Sequence, residues 1–545
     1  MSVKQAGQSK LGVRLPYRGG AYLRKSPLFF WADLRQRLPY RRYLDRTDRA
    51  RRLRASAFSL LTLALGLVYL LWIGKLLLET RQLHDFVFVG AEILSFLLLS
   101  LLALDVWHLR GHRPEGLKTG HNFSVDILVP CCGEPLEVVR TTLRAVTQIS
   151  YPGFKVFVLD DGASPQVAAL SQSLGFHYLS RAAEGLDLKD SKSGNLNFGL
   201  SRSQGELILV LDADQVPAPE ILSHLVGFFK HPQVGYVQSQ QAFFLPEGDP
   251  FYNADKIFYE TLQLSNDQAN AVISCGSGVV YRRQALNDLG GFSTWNIVED
   301  VTTSYDLLSR GWKGIYYPYP LSRGLAPATL PGVYRQRFQW CLDTMRLFFW
   351  DNPLFKTGLN WRQKSHFLIV MLSYLSSGLV FPIFYSIPLL VYCGGKSILL
   401  GHELGYLLLR SAYLAATVLM FRYLFCRQEA LKQFKMLCNL FPVHALAILT
   451  ALVYRPGHKP PYRANNLEPF SESGSWWPLA PHLSFIGLHL TLPFISLWQG
   501  WALPQLIVCN AVFSAFIIWI MGDLVLAVLS GRRWSPAMDP RQVYG

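Results

Sequence analysis

Long apolar runs constrain this chain more than any other feature. A helix that crosses a bilayer needs about 20 mostly apolar residues. Six stretches meet or approach that length: Phe58–Leu78, Phe86–Trp107, Phe367–Cys393, Leu404–Phe425, His482–Trp498 and Leu503–Leu529. Between the second and the third, from Leu109 to about Phe355, lie most of the acids and turn signals, and the apolar runs there are too short to span. Composition agrees, because 16% of the 545 residues are charged, whereas soluble domains carry about 25%. Disordered, collagen-like and disulfide-scaffold classes are excluded. A membrane protein with one sizeable soluble domain remains.

The net charge is +15, and residues 1–54 hold 15 Lys/Arg against Asp33, Asp45 and Asp48, which is +12 of that excess. A basic segment beside an apolar span is expected to stay on the cytoplasmic face near anionic lipid. No nucleic-acid partner and no cleaved signal peptide are expected. The segment Gln428–Tyr454 carries Glu429, Lys432 and Lys435 at helical spacing and then turns apolar. Counted as a seventh span, its part Phe434–Tyr454 places Arg532, Arg533 and Arg541 outside, against the positive-inside tendency. It is therefore read as an amphipathic interface helix.

The expected layout is a basic cytoplasmic segment (1–54), two spans (55–108), a cytosolic domain (109–345), an interface helix (346–366) and two spans (367–425). An interface helix with a following loop (426–478), two spans (479–530) and a cytoplasmic tail (531–545) complete it. The eight cysteines form no CxxC pair and read as reduced, buried thiols. Glu92 and Asp523 lie within apolar spans, where acids are expensive; they line a channel or pair inside the bundle. Trp476 and Trp477 read as interfacial anchors.

Within the polar stretch, the short runs Val125–Val129, Val156–Leu159 and Leu207–Leu211 each end in polar or acidic turns. Helical patterns follow at Leu136–Ile149, Pro165–Leu174 and Pro219–Lys230. Strands alternating with helices predict an α/β domain with a mainly parallel sheet, whose ligands bind at the carboxyl ends of the strands. Asp160-Asp161-Gly162 ends one strand and Asp212-Ala-Asp214 another. One or two carboxylates beside substrate phosphates are the usual setting for Mg²⁺ or Mn²⁺. Glu299-Asp300 opens a helical pattern, where an acid either caps the helix or serves as a base in a cleft. Gln336-Arg337-Phe338-Gln339-Trp340 combines amide, guanidinium and an aromatic face suited to stacking on a sugar. Trp340 taken alone also fits a membrane-interface aromatic.

Together, and in order, Pro130-Cys-Cys-Gly-Glu134-Pro135, Asp160–Gly162, Lys192-Ser-Gly-Asn195, Asp212–Asp214, Ser274-Cys-Gly-Ser277, Glu299-Asp300, Gly324-Leu-Ala-Pro327 and Gln336–Trp340 resemble the family 2 glycosyltransferases. The branch is the cellulose synthase-like one, with the hyaluronan, chitin and curdlan synthases. The resemblance implies a GT-A domain facing the cytosol and a channel through about six membrane helices. Glu134 and Asp161 correspond to acids that contact uridine, and Lys192 to the loop that approaches the nucleotide. Asp212 and Asp214 correspond to the diphosphate and metal acids. Cys275, Gly276 and Ser277 correspond to the acceptor loop. Asp300, beside Glu299, corresponds to the general base. Gln336, Arg337 and Trp340 correspond to the motif that grips the diphosphate and stacks on the acceptor. The implied cofactor is Mg²⁺ or Mn²⁺. The implied partners are a UDP-sugar, a polysaccharide acceptor, membrane lipid and accessory export subunits.

Four departures qualify this pattern. Gln339 stands where the motif usually has Arg, which leaves Arg337 or Arg335 to supply charge; Val298 replaces a Thr; Cys132 replaces a Tyr; and Arg455–Asn465 occupies the place of a gating loop without its Phe-x-Val-Thr core. The stretch after Leu529 is too short for a PilZ domain, so control by cyclic di-GMP within this chain is not expected. The expected activity is inverting transfer from a UDP-sugar, UDP-glucose foremost, to a growing β-glucan that is exported. The competing readings are a single transfer to a lipid and a catalytically weak partner subunit.

Overall fold

The computed structural model describes residues 49–80, 83–106, 122–245, 249–327, 329–394, 401–425, 430–460 and 477–529. The basic segment up to residue 48, the loop from residue 461 onward with Trp476, and Arg532, Arg533 and Arg541 lie outside the described residues.

Two helices, α1 (Arg49–Thr80) and α2 (Leu83–Val106), precede the sheet. There follow β1 (Val125–Cys131), α3 (Leu136–Val146), β2 (Phe154–Asp160), α4 (Pro165–Ser173), β3 (His177–Leu179), α5 (Ser191–Arg202), β4 (Leu207–Val210) and β5 (Val216–Pro217). Next come α6 (Ile221–Leu225), β6 (Val234–Phe244), α7 (Gln263–Gln268), β7 (Val279–Arg282), α8 (Arg283–Leu289), α9 (Glu299–Ser309) and β8 (Lys313–Leu325). The remaining helices are α10 (Leu330–Trp350), α11 (Trp361–Leu375), α12 (Phe381–Gly394), α13 (Glu403–Leu424), α14 (Ala430–Asn439), α15 (Phe441–Val453), α16 (Ala480–Gln499) and α17 (Pro504–Leu529).

The eight strands form one sheet in the order β3-β2-β1-β4-β7-β6-β8-β5. Pairing is parallel along β3-β2-β1-β4 and between β6 and β8, and antiparallel where β7 joins β4 and β6 and where β5 joins β8. All seven residues of β1 are buried, as befits a parallel strand covered on both faces, and its acid Asp126 is paired with Arg283 (3.0 Å). Side chains alternate between the faces. Ile127, Val129, Val158 and Leu209 meet Val139, Leu143 and Val146 of α3. Leu128, Leu159, Ile208 and Val210 meet Leu196 and Leu200 of α5.

Among the described residues six helices are long and apolar enough to cross a membrane, Leu53–Glu79, Leu83–Asp105, Trp361–Gly394, Glu403–Leu424, Trp477–Gln499 and Pro504–Leu529, and the bent pair α14–α15 makes a seventh if counted as one span. The third joins α11 and α12 through a π-helical turn, Ser376–Val380. The two acids inside apolar spans are paired. Glu92 accepts from Tyr69 Oη (3.1 Å) and pairs with Arg410 (2.6 Å). Asp523 pairs with Lys435 (2.7 Å), whose ammonium lies 3.6 Å from the Trp519 ring centroid.

Two expectations about the layout need correction. Residues 346–366 are not one interface helix. The end of α10, the non-helical turn Asp351–Asn360 and the start of α11 share the segment. Lys356 ties the turn to Asp306 (2.8 Å) and Asp351 (2.6 Å), and Asn360 with Gln363 forms a capping box that restarts the helix. The segment Gln428–Tyr454 is likewise two helices, α14 and α15, bent by 58°. Pro442 in the first turn of α15 cannot continue the α14 ladder. The apolar α15 packs along α10, where Trp350 donates to the carbonyl of Ala451 (2.8 Å). Cys131, Cys132, Cys275, Cys341, Cys393, Cys438 and Cys509 are free thiols, as expected, but Cys132 and Cys393 are exposed rather than buried.

Candidate active site

The chain moves outward from β1 to β3 and then returns across β1 to β4. The carboxyl ends of β1, β2 and β4 therefore lie together at a switch in strand order, where open α/β sheets bind ligands. Asp160 builds the turn after β2. Its carboxylate accepts from the amides of Gly162 (2.9 Å) and Ser164 (2.8 Å) and from Tyr178 Oη (2.9 Å). Its neighbour Asp161 is held by both arms of Arg181, at 2.9 and 2.5 Å. Arg181 also donates to the carbonyls of Lys189 and Ser191, and so fixes the loop that delivers Lys192 on α5. No motif marks Arg181; only the fold brings it to Asp161.

Lys192 is the hub. Its ammonium contacts Asp212 (2.7 Å) and Glu299 (3.1 Å) and donates to the carbonyl of Gly276 (3.1 Å). Burial opposes its charge, but Asp212, Glu299 and Asp300 outweigh burial and hold the ammonium well above the ordinary lysine value. Gly276 has φ +74°, and a Cβ there would lie 3.0 Å from Asp300 Oδ2 and 3.1 Å from Lys192 Nζ. The loop needs glycine both for that backbone angle and to let the Asp300 carboxylate and the ammonium approach.

A set of buried side chains holds the loop Ser274–Ser277 through its backbone. Gln238 accepts from Cys275 N (2.8 Å) and donates to the carbonyl of Ser277 (3.0 Å), while Gln241 donates to the carbonyl of Cys275 (2.9 Å). Ser304 on α9 accepts from Ser274 N (3.1 Å), and Ser277 Oγ accepts from Asp212 N (2.9 Å). The alternation of β6 points Gln238 inward, yet a buried glutamine has no signature in sequence.

Three acids sit uneasily here. Burial, aided by Glu299 and opposed by Lys192, pushes Asp300 up to about 8. Burial, with Asp212 and Glu134 close by, pushes Asp214 up to about 7. Burial also raises Glu134, whose carboxylate accepts from Cys132 N (2.5 Å). Among the described residues no group of three or more His, Cys, Asp or Glu converges to hold a metal unaided. Mg²⁺ that keeps waters and substrate phosphates needs only one or two carboxylates, and crowded buried negative charge at Asp214 is what a divalent cation relieves. The donor set fits such an ion.

Gln336, Arg337 and Trp340 form a second group on α10. The Arg337 guanidinium pairs with Asp255 (2.7 Å), donates to the carbonyl of Tyr252 (3.3 Å) and lies 4.7 Å over the Trp340 ring. Asp255 and Tyr252 adopt positive φ, at 42° and 52°; such strain clusters at functional sites. Arg337 is thus engaged by Asp255, and Gln336 is half-buried on the same helix. Gln339, at the position where Arg is usual, is buried and donates to Asp343 (3.0 Å).

Residues 121–342 match the family model described as glycosyltransferase like family 2, and residues 288–425 match the cellulose synthase model. A cellulose synthase catalytic subunit (UDP-forming) from Xanthomonas axonopodis pv. citri is 31% identical over 350 residues, which cover 61% of this chain and 46% of that one. Cellulose synthase 1 from Komagataeibacter xylinus is 33% identical over 297 residues, covering 52% and 19%. The chain thus spans less than half the length of these relatives. A solved mannosyltransferase from Pyrobaculum calidifontis, in complex with GDP-Man and Mn²⁺, is 17% identical with a TM-score of 0.48 over 67% of this chain and 99% of that one. The two matches overlap over residues 288–342, so from residue 121 to residue 425 this chain is similar to a family 2 glycosyltransferase domain that runs into a cellulose synthase segment.

Proposed function

We propose that the chain is a membrane-embedded inverting glycosyltransferase that moves a sugar, glucose foremost, from a UDP-sugar to a growing β-glucan and passes the polymer across the membrane. The observation that carries this reading is the cluster of Asp300, Glu299, Lys192 and Asp212 around Gly276, since it sets a high-pKa carboxylate and a buried ammonium on one loop. The acceptor hydroxyl gives its proton to the Asp300 carboxylate as its oxygen bonds to the donor's anomeric carbon. The bond from that carbon to the diphosphate breaks on the opposite face, which inverts the configuration. Lys192, on Asp212, offsets the charge that builds on the departing UDP. A Mg²⁺ or Mn²⁺ ion held by Asp212 and Asp214 supplies further neutralisation of that diphosphate. Glu134 and Asp161 contact uridine, Gln336 and Arg337 face the donor, and Trp340 with Cys275, Gly276 and Ser277 carries the terminal acceptor sugar. The domain and both termini face the cytoplasm, with the six spans and bound lipid around the export path.

The test uses the full chain in nanodiscs with Mg²⁺ or Mn²⁺ and radiolabelled UDP-glucose or UDP-N-acetylglucosamine. A high-molecular-weight product from UDP-glucose that a linkage-specific β-glucanase digests is expected. Label confined to chloroform-soluble lipid, or no turnover of either donor, overturns the reading.

A further inference from the structure

The glutamine at position 339 has a partner that explains it. Its side-chain amide donates to Asp343 Oδ2 (3.0 Å), one turn further along α10. The same Asp343 carboxylate reaches across to the loop that enters α9: Oδ1 accepts from Ile297 N (3.2 Å) and Oδ2 from Val298 N (3.3 Å). Asn296 closes the arrangement by donating to the backbone carbonyl of Asp343 (2.9 Å) while accepting from Arg346 (2.9 Å). The group is sealed from water: Asp343 is 3% exposed, Gln339 9%, and Asn296 and Arg346 0%. Val298 has no side-chain oxygen, and α9 has no side-chain cap. The entry to the helix that begins Glu299-Asp300 is therefore held from outside, by α10. Trp340 stands on that same helix, three residues before Asp343, so one rigid element carries the sugar-stacking ring and the group that pins the base-bearing turn.

We propose that Asp343 is a positioning residue for sugar transfer, that it sets the distance between Asp300 and the acceptor on Trp340 through the amides of Ile297 and Val298, and that Gln339 is its matched neutral donor. The proposal rests on the reading of Asp300 as the base. An unsatisfied buried amide is costly, and a displacement of about 1 Å at a reacting group can cost on the order of 100-fold in rate.

The full chain in nanodiscs, as wild type, Asp343→Asn, Gln339→Glu and the double variant, is compared for kcat, donor KM, UDP affinity and hydrogen exchange over residues 296–301. Asp343→Asn is expected to lower kcat between about 10- and 100-fold with donor KM and UDP affinity unchanged, and to speed exchange in that segment alone. Gln339→Glu sets two carboxylates against each other and is expected to lower kcat as well. The double variant restores a donor–acceptor pair between the two positions and is expected to recover part of that loss. Wild-type kcat in Asp343→Asn, loss of UDP affinity in step with kcat, or a double variant no better than Gln339→Glu overturns the proposal. A wild-type chain with no turnover instead defeats the transferase reading, and exchange over 296–301 then still decides whether Asp343 pins the turn.

Discussion

The acids of the membrane bundle and those of the catalytic cleft are treated in opposite ways. Two acids of the bundle each have a cation: Glu92 has Arg410 and Asp523 has Lys435. In the cleft, Glu134, Asp212, Asp214, Glu299 and Asp300 crowd together, and Lys192 serves several of them at once. Pairing one to one removes a cost of burial. Leaving acids in excess stores that cost where a ligand with cations, or a proton to give up, can relieve it. Perturbed carboxylates in a cleft mark function, while neutralised ones in a bundle mark architecture.

The contrast can be broken most severely at Asp300, the proposed base. Asp300→Asn is expected to lower transfer between about 100- and 10,000-fold while UDP binding, read by titration calorimetry, is retained; normal polymer synthesis by this variant sinks the assignment. On the bundle side, Arg410→Met strands Glu92 and should cost about 3–5 kcal/mol of stability, seen as a lowered unfolding temperature. The double change Glu92→Gln with Arg410→Met should lose less, and activity per folded molecule should be unaltered in both. If the double variant is no more stable than the single one, the pair is not the unit described here.

Smaller effects sharpen the picture. Only an ionised Asp300 accepts a proton, and its pKa is pushed up to about 8. The rate should therefore climb with pH through that value and fall about tenfold per unit below it. Lys192→Met removes the charge that opposes this rise, so the midpoint of the pH–rate profile should move upward; a profile flat from pH 6 to 9 contradicts both statements. Smallest is Gly276→Ala, strained at φ +74° and tight against Asp300 and Lys192, at about 1–3 kcal/mol in thermal melts.

Much of this was legible in residue order. The β1, β2 and β4 runs and the acids at their ends are local patterns, and so are the six spans. The hidden parts join distant residues. Arg181 reaches Asp161 from 20 positions away, Gln238 reaches Cys275 across 37, and Asp343 reaches Val298 across 45. None belongs to a periodicity or a short motif. The break between α14 and α15 was visible as Pro442, but the mixed polarity of the segment suggested a single amphipathic helix. The turn at Asp351–Asn360 was masked by the aromatic run Phe348-Phe349-Trp350, which reads as continuing helix.

The Glu92–Arg410 pair spans 318 positions, and that separation sets a schedule. Chains grow at about 5–20 residues per second, so α1 and α2 wait roughly 15–60 s before the arginine on α13 has been made. During that interval the young helical hairpin holds an acid with no cation from its own final fold. Assembly of this protein therefore has a vulnerable period early in its synthesis, and a chain cut short before α13 leaves behind a fragment in which the Tyr69 hydroxyl, but not the arginine, meets that carboxyl group.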